Sequence, residues 1–451
     1  MRIAQSRPLF AWDCLEDSPT LQTLRELLAA IPDGKLLESL RSARGKGRND
    51  YPVSVLWGVC VLTVALRHPH TEACLAELKR NRDLRQLIGI ESEDKVPAKW
   101  NMSRFEETLG EEPHRSLLPE VFNVMVQRLG VAVPGLGKST AGDATGLSAR
   151  RGKSNKAEQE IAEGLPQASG GRKEYKDDDG KVTKVVEWFG FKLHLVVDTK
   201  HEVTLSYQIT DTKAGDGETL PEILQQAMKN LPPGRIETLA YDKAADSNEV
   251  HRLLDDAGIK PVIQNRALWN QEHERKLPGH DGNSNVVYDE AGTLHCYDQV
   301  SEPVVRHPMS YIGHEPARGT LKYRCPAKHE GWSCPMSKIC NAGKKYGMTV
   351  RVKREIDLRR FPAIPRATKK FQKLYKGRTA VERVNARLKV FWGADDGNVT
   401  GSRRFHAKIG VLMLVHAAFA TLLAAARRKG TLGKMNLGPI AKALRETVPA
   451  A

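Results

Sequence analysis

The chain has 451 residues, of which 70 are lysine or arginine and 54 are acidic, so its net charge is +16 and its length suffices for two or three domains. Such an excess of cations favours a polyanionic partner, with nucleic acid ahead of an acidic membrane. The first residues lack the apolar core of a secretion signal, and seven cysteines, an odd number, argue against a disulfide framework, so we expect a cytoplasmic protein.

Residues 1–130 are predicted to form a helical domain. Apolar residues recur at helical spacing in Leu21–Leu40 and Pro52–Leu66, and Thr71–Ile88 mixes apolar with basic residues. The basic side chains near the end of the third stretch are Lys79, Arg80, Arg82 and Arg85. They suit either the solvated face of an ordinary helical bundle or a module that binds DNA ends, and the pattern does not single out a recognition helix.

An α/β domain is predicted to follow, with residues 131–265 as its first part. A short strand leads to Asp143, and the flanking Gly142 and Gly146 would let the backbone come close to a ligand. An aspartate in a G-D-x-T-G turn could also serve as the cap of that turn. Residues 150–181 are polar and lack apolar periodicity, which predicts a long loop that orders when DNA binds.

A second aspartate stands at the end of a predicted strand. Ile236–Tyr241 is that strand, and it delivers Asp242 to its C-terminal end, where sites in open α/β sheets usually lie. A helix is predicted to begin near Asp246, which we interpret as its N-cap. Another strand follows at Lys260–Gln264.

In residues 266–354 strand and helix patterns no longer alternate. We predict that this stretch forms an inserted β-rich subdomain. This stretch contains four of the seven cysteines, namely Cys296, Cys325, Cys334 and Cys340. Four thiolates brought together could hold a structural zinc ion. None of their spacings is the tight C-x2-C knuckle, so ordinary reduced cysteines are the alternative.

The second part of the α/β domain is predicted at residues 355–430 and includes Phe371–Trp392, FQKLYKGRTAVERVNARLKVFW. This stretch has no proline and one glycine, which predicts a single helix. Four polar residues fall within an arc of roughly 60° on one side of it, namely Tyr375, Arg378, Glu382 and Lys389. A carboxylate between two cations and a phenol suits a metal-binding acid beside a phosphate chain, although a solvated face is the alternative.

An apolar run, Ile409–Ala426, is close to the minimum length of a membrane span. It contains His416 and Thr421 and is rich in alanine, so we predict a helix buried against a sheet and no membrane association. Residues 431–451 are predicted to form a basic C-terminal tail.

The spacing Tyr375-x2-Arg378-x3-Glu382-x6-Lys389 resembles the Y-R-E-K signature of bacterial insertion-sequence transposases, which carry a DDE catalytic triad. The sequence around Asp143 resembles the family's first catalytic strand. The family's segment around its second catalytic aspartate is resembled by YDKAADSNEVHRLLDDAGIKPVIQNR. In that segment two alanines stand in place of the usual glycine and tyrosine. The resemblance implies an α/β fold, a ribonuclease-H-like mixed sheet flanked by helices. It also implies an N-terminal helical domain that binds DNA ends and an inserted β-rich subdomain.

The resemblance implies roles for the singled-out residues. The triad would be Asp143, Asp242 and Glu382, which would bind Mg²⁺ or Mn²⁺, as two ions, because hard oxygen ligands suit these cations. The residues that would bind DNA phosphates are Tyr375, Arg378 and Lys389. The implied activity is cleavage at the ends of an insertion sequence and joining to target double-stranded DNA, by a homodimer when DNA is bound.

Two other functions are compatible with the sequence. One is a ribonuclease-H-like nuclease that cuts DNA without strand transfer, and the other is a catalytically inactive DNA-binding regulator. An inactive relative would be free to lose a carboxylate, whereas all three expected positions are filled here. The transposase therefore ranks first.

Overall fold

The computed structural model describes residues 21–45, 51–152, 154–177, 181–269, 273–279 and 285–428. The predicted basic tail at residues 431–451 lies outside these ranges. Helices are labelled in chain order as α1 (Leu21–Ala30), α2 (Gly34–Arg44), α3 (Val53–Ala65), α4 (Thr71–Arg80), α5 (Arg82–Leu87), α6 (Lys99–Leu109), α7 (His114–Ala132), α8 (Ala157–Ala162), α9 (Asp216–Lys229), α10 (Asn248–Asp256), α11 (Pro326–Glu330), α12 (Ser337–Cys340), α13 (Lys369–Lys376), α14 (Thr379–Ala386) and α15 (Ser402–Arg428).

Strands are labelled in the same way as β1 (Ser139–Ser148), β2 (Ser169–Lys176), β3 (Val182–Asp198), β4 (Thr204–Thr210), β5 (Thr238–Tyr241), β6 (Lys260–Ile263), β7 (Glu274–Lys276), β8 (Val286–Asp289), β9 (Leu294–Asp298), β10 (Val305–Pro308), β11 (Ser310–Glu315), β12 (Thr320–Arg324) and β13 (Thr349–Lys353). The first seven helices precede every strand, and strands of both directions follow. The predicted mixed α/β class with a helical N-terminal region is confirmed.

The chain divides into two compact units. The first unit comprises Met1–Lys138, Asp143–Arg235 and Thr379–Ala451, and the second comprises Ser139–Gly142 and Ile236–Arg378. Strand β1 therefore gives its first four residues to the second unit and the rest to the first. The domain boundaries drawn from the sequence remain predictions.

Two of the predicted N-terminal helices are each broken into a pair. Helix α1 ends before Pro32, which cannot supply a backbone N–H to continue it, and α2 begins two residues later. The stretch Thr71–Ile88 breaks at Asn81, whose side chain accepts a hydrogen bond from the Leu84 amide at 3.2 Å and so starts α5. Asparagine favours this capping role over a helix interior.

Helix α15 is the core helix of the first unit. By length and composition Ser402–Ala425 could cross a membrane, but 89% of its most apolar window is buried inside the protein. It packs on α1, α3, α6, α7 and strand β4, which is the environment of a helix that is apolar on all sides. His416 on this helix accepts a hydrogen bond from the Thr204 amide at 3.1 Å. Burial, helped by the charge of Arg387, lowers the pKa of His416 to about 3, so this acceptor stays neutral.

The loop predicted for residues 150–181 is wrong. Helix α8 and strand β2 form there, and β2 pairs antiparallel with the first half of the long strand β3. Sequence periodicity fails here because β2, SGGRKEYK, is mostly polar, and the residues of β3 beside it, Val182, Val185 and Val186, are exposed. Strand β4 pairs antiparallel with the second half of β3.

The second unit is built on a parallel ladder. The first residues of β1 pair with β5, in the register Ser139 to Thr238 and Ala141 to Ala240, and β5 pairs with β6. Helix α13 packs on β5 and β6. Two small antiparallel sheets follow, in the orders β10-β9-β8-β7 and β11-β12-β13, and they share one buried apolar cluster.

Candidate active site

Asp143 lies on β1 and contacts an asparagine of helix α14. The Asn385 amide nitrogen donates to Asp143 Oδ2 at 3.4 Å. The other end of this amide, Asn385 Oδ1, is buried and has no hydrogen-bond partner within the ranges that the structure describes. A buried oxygen of this kind usually has a missing partner, such as a water molecule or an ion. An unassigned acceptor therefore stands next to the first predicted carboxylate.

Glu382 lies on the same side of α14 as Asn385. The two residues are three positions apart, which places them side by side on a helix. Val381, Val384 and Asn385 are buried, whereas Glu382 is exposed. The first unit thus places Asp143 in contact with Asn385, one helical turn from Glu382.

Helix α14 is anchored by a buried carboxylate. Glu202, in the turn between β3 and β4, is 7% exposed and pairs with Arg383 and Arg387. The Arg387 guanidinium lies 2.6 Å from Glu202 Oε2. Because Arg383 directly follows Glu382, these ion pairs hold the backbone that carries the predicted catalytic glutamate.

The glycines beside Asp143 make room for aromatic rings rather than for a ligand. A Cβ atom on Gly142 would stand 2.3 Å from the Tyr241 ring, and one on Gly146 would stand 2.3 Å from the Trp188 indole. No real Cβ contact is so short, so the protein's own packing requires both glycines. The backbone at these glycines does come close to another group, as the sequence predicts, but that group is an aromatic side chain of the protein and not a ligand.

Asp242 follows β5 in the second unit, as predicted. Its Oδ1 accepts a hydrogen bond from the Ala244 amide at 2.8 Å, which closes a short turn at Lys243–Ala245. Ala245 is buried in that turn and Ala244 is exposed. The two alanines that replace the family's usual glycine and tyrosine therefore leave the turn intact and the carboxylate at the strand end.

The N-cap role predicted for Asp246 is wrong. Ser247 caps α10, through a hydrogen bond from the Val250 amide at 3.3 Å. The Asp246 side chain is instead fully buried and pairs with Arg359 at 2.8 Å and Arg366 at 2.9 Å. Two further hydrogen bonds reach the Asp246 carboxylate. His251 Nε2 lies 2.9 Å from its Oδ1, and the Arg266 amide donates to its Oδ2 at 2.8 Å.

These partners control the charge of Asp246. Burial alone would raise the pKa of this carboxyl, but the hydrogen bond with His251, the charges of the two arginines and the Arg266 amide outweigh it, and the pKa lies below its usual value. Burial lowers the pKa of His251, so the imidazole stays neutral near pH 7. The permanently charged carboxylate of Asp246, four residues after Asp242, therefore fixes the chain just before α10.

The single helix predicted for Phe371–Trp392 is wrong. Helix α13 ends at Gly377, whose amide bonds back three residues to Leu374, and α14 begins at Thr379. Glycine disfavours a helix interior, which explains the break. A π-helical turn, Arg387–Phe391, follows α14. The four polar residues therefore do not share the face of one helix.

Tyr375 and Arg378 belong to the second unit and form a stack. The Tyr375 ring lies parallel to Phe371, with 5.9 Å between ring centroids, and the Arg378 guanidinium lies 5.9 Å from the Tyr375 centroid. Phe371 is fully buried, so it fixes the ring above it. A planar guanidinium is the side chain that matches a phosphate or carboxylate through two parallel hydrogen bonds.

Lys389 belongs to the first unit and is paired with a carboxylate. Its Nζ lies 3.4 Å from Asp395 Oδ2, and Asp395 Oδ1 accepts from the Ser148 amide at the end of β1. No sequence pattern points to Glu202, whose partners Arg383 and Arg387 lie 181 and 185 residues further along the chain. The same holds for the contact of Asp395 with Ser148, which is 247 residues away. Asn385 could have been found, because it follows Glu382 at helical spacing.

Within the described ranges, no group of three His, Cys, Asp or Glu side chains lies close enough together to hold a metal ion. The donors near Asn385 are nevertheless oxygens of carboxylates and an amide, which are the ligands of hard divalent cations. Carboxylates carried by the strands and helices of an α/β fold are typical of enzymes of phosphoryl transfer. That is the class of protein which the fold and these residues indicate.

The chain belongs to the Transposase DDE domain family, whose model matches residues 140–417. Residues 13–108 match a second family, Transposase domain (DUF772). The predicted transposase is confirmed, and the protein is an enzyme that acts on DNA. Enzymes of this family generally use divalent metal ions. Strand transfer remains a prediction.

Comparison with curated proteins gives no match. Among solved structures the chain is similar to the cryo-EM structure of the piggyBac transposase synaptic complex with hairpin DNA. The identity is 11% and the TM-score 0.39, over 96% of this chain and 80% of that chain. A similarity this remote carries no weight for the fold or the site.

The buried Asp246 cluster yields a stability prediction. Asp246→Asn leaves two buried guanidinium groups without their counter-charge, so we expect the free energy of unfolding to fall by about 3–5 kcal/mol. Because the folded pKa is lowered, the difference between wild type and variant is complete above the ordinary aspartate pKa of about 3.9 and shrinks as the pH falls through the folded value. Urea denaturation at several pH values measures it.

Asp256→Asn, on the exposed end of α10, is the matched control and should change the free energy of unfolding by less than about 0.5 kcal/mol. Equal effects of the two variants near pH 7 would contradict the role given to Asp246.

Proposed function

We propose that the protein cuts the ends of an insertion sequence and joins them to target double-stranded DNA, with Asp143, Asp242 and Glu382 as its catalytic carboxylates. The observation that carries the proposal is the meeting of Asp143 with Asn385, beside Glu382 on α14. The location of Asp242 at the end of β5 supports it independently.

The strand register of the second unit supports the assignment of Asp242. Ala141 of β1 and Ala240 of β5 are partners in a parallel ladder, and Asp242 follows β5 directly. Functional sites of open α/β sheets lie beyond the carboxyl ends of parallel strands, which is where Asp242 stands.

The residues fit Mg²⁺ or Mn²⁺, which we propose as two ions held by the three carboxylates. Hard oxygen donors suit these cations, and the buried Asn385 Oδ1, which lacks a partner in the described ranges, offers a further oxygen. When bound, such ions supply Lewis-acid activation of a water or a DNA 3′-hydroxyl and stabilise the leaving oxygen. The chain's own contribution is to orient the carboxylates through α14 and the strand ends.

Arg378, Tyr375 and Lys389 are proposed to bind DNA phosphates. The stacked Arg378 can donate two parallel hydrogen bonds to a phosphate. Lys389 would exchange its contact with Asp395 for a phosphate, so its affinity for DNA depends on loss of that pair. These contacts position the backbone and carry no base specificity.

The wider partners follow from the same activity. The net charge of +16 favours DNA, and the helical residues 1–130 are proposed to bind the element ends. Joining two ends to one target calls for a homodimer on DNA. The six cysteines in the described ranges are unpaired, which fits a cytoplasmic location.

The proposal predicts that Glu382→Gln abolishes cutting without abolishing binding. Labelled DNA that carries the element ends, incubated with Mg²⁺ and wild-type protein, should give cut and joined products. The variant should lower the cutting rate more than about 100-fold, because a ligand carboxylate is lost, while a gel-shift assay shows unchanged binding.

Glu355→Gln, an exposed glutamate on the second unit, is the control and should cut at the wild-type rate. Cutting without joining by the wild-type protein would favour a nuclease. Sequence-specific binding with no metal-dependent cutting would leave a regulator and overturn the catalytic assignment.

Asn385→Ala is predicted to weaken metal use rather than DNA binding. Removal of the amide frees Asp143 and deletes the buried oxygen, so the Mg²⁺ concentration for half-maximal cutting should rise by about 10–100-fold. A Mg²⁺ titration of the cutting rate measures it. An unchanged midpoint with a lowered maximum would contradict the role given to Asn385.

A further inference from the structure

The second unit gathers four cysteines from distant parts of its chain. Cys296 lies on β9, Cys325 follows β12, Cys334 precedes the short helix α12, and Cys340 is the last residue of that helix. Cys325 is a buried member of the apolar cluster shared by the two small sheets, and the other three pack against that cluster. All four residues therefore pack on the core that the two small sheets share.

The surroundings of two of the thiols agree with this packing. Cys325, Cys334 and Cys340 are all neighbours of Cys296. Cys325 and Cys340 are also neighbours of Cys334. Four reduced cysteines scattered through an apolar core as small hydrophobic side chains would not need to lie together.

Two buried asparagines direct their amides at these sulfurs. Asn285 Nδ2 lies 3.5 Å from Cys340 Sγ, and Asn341 Nδ2 lies 3.6 Å from Cys325 Sγ. Asn285 and Asn341 are 8% and 7% exposed. Burying an amide costs free energy unless it is hydrogen-bonded, and donors beside sulfur stabilise a thiolate that ligates a metal.

Other hydrogen bonds hold both amides in place. Asn341 Oδ1 accepts from the Met348 amide at 2.6 Å and its Nδ2 donates to Ser337 Oγ at 3.1 Å. Asn285 donates to the Tyr297 carbonyl at 3.2 Å, next to Cys296. The two amide donors are thus held in place beside the sulfurs of Cys340 and Cys325.

We propose that Cys296, Cys325, Cys334 and Cys340 bind one structural zinc ion that joins the two small sheets of the second unit. A set of four thiolates suits Zn²⁺, which takes four ligands in a tetrahedron. In the described ranges the sulfurs do not yet stand at ligand distance from a common point, so binding draws them together by rotation of their side chains. Each thiol loses its proton to solvent as its bond to zinc forms.

Two of the nearby histidines are already engaged. His295 Nε2 lies 3.2 Å from Asp289 Oδ2, and His307 packs on Trp332 with 4.8 Å between ring centroids. A third, His329, is exposed, and the four cysteines make up the proposed ligand set. This site does not depend on the proposed catalytic carboxylates, whose oxygen ligands select harder ions.

The test is the metal content of the full-length protein, purified under reducing conditions and dialysed against excess Mg²⁺ to clear ions from carboxylates. We expect one zinc per chain by mass spectrometry. Cys334→Ser and Cys340→Ser should each lose most of it. Cys60→Ala, a buried cysteine on α3 of the first unit, is the matched control and should keep it.

Replacement of zinc by Co²⁺ in the wild-type protein gives a second readout that needs no variant. A tetrahedral thiolate site should produce intense visible absorption and sulfur-to-cobalt charge transfer, both removed by zinc. The proposal would be overturned by absence of metal after reconstitution or by zinc retained in both serine variants. Disulfides between these cysteines in protein purified under reducing conditions would also overturn it.

Discussion

The position of Glu382 depends on the ion pairs between Glu202 and two arginines. Glu202 is almost fully buried, and a buried carboxylate remains charged only where cations and hydrogen bonds compensate its lost hydration. Arg383 of α14 and Arg387, the first residue of the π-helical turn that follows α14, supply this compensation. The helix therefore cannot turn or slide without breaking a charge pair, and Glu382 stays beside Asn385.

The second unit holds Asp242 by the same means. Asp246, four residues further on, is locked by Arg359 and Arg366, so the turn after β5 has a fixed start and a fixed end. Carboxylates that share a site repel one another until a cation joins them. Rigid supports of this kind let a protein keep such groups exposed and ready without local collapse.

Local patterns were enough for part of this architecture. The strand that carries Asp242 and the apolar helix α15 follow from apolar runs bounded by turn residues, so the sequence predicts them near their observed positions. Strand β2 was missed because its pairing depends on β3 rather than on its own apolar pattern. The role of Asp246 was missed because its two arginines lie more than 100 residues away in the chain. The break at Gly377 was underestimated, since a lone glycine is often tolerated within a helix.

The most direct measurement of the central claim is cleavage of the protein by bound iron. Fe²⁺ takes the place of Mg²⁺ in oxygen-ligand sites, and with ascorbate and peroxide it releases radicals that cut the nearest backbone. One site built from Asp143, Asp242 and Glu382 should yield cuts near all three residues, suppressed together by excess Mg²⁺. Cuts confined to one of these segments, or cuts that excess Mg²⁺ does not suppress, would contradict a shared site.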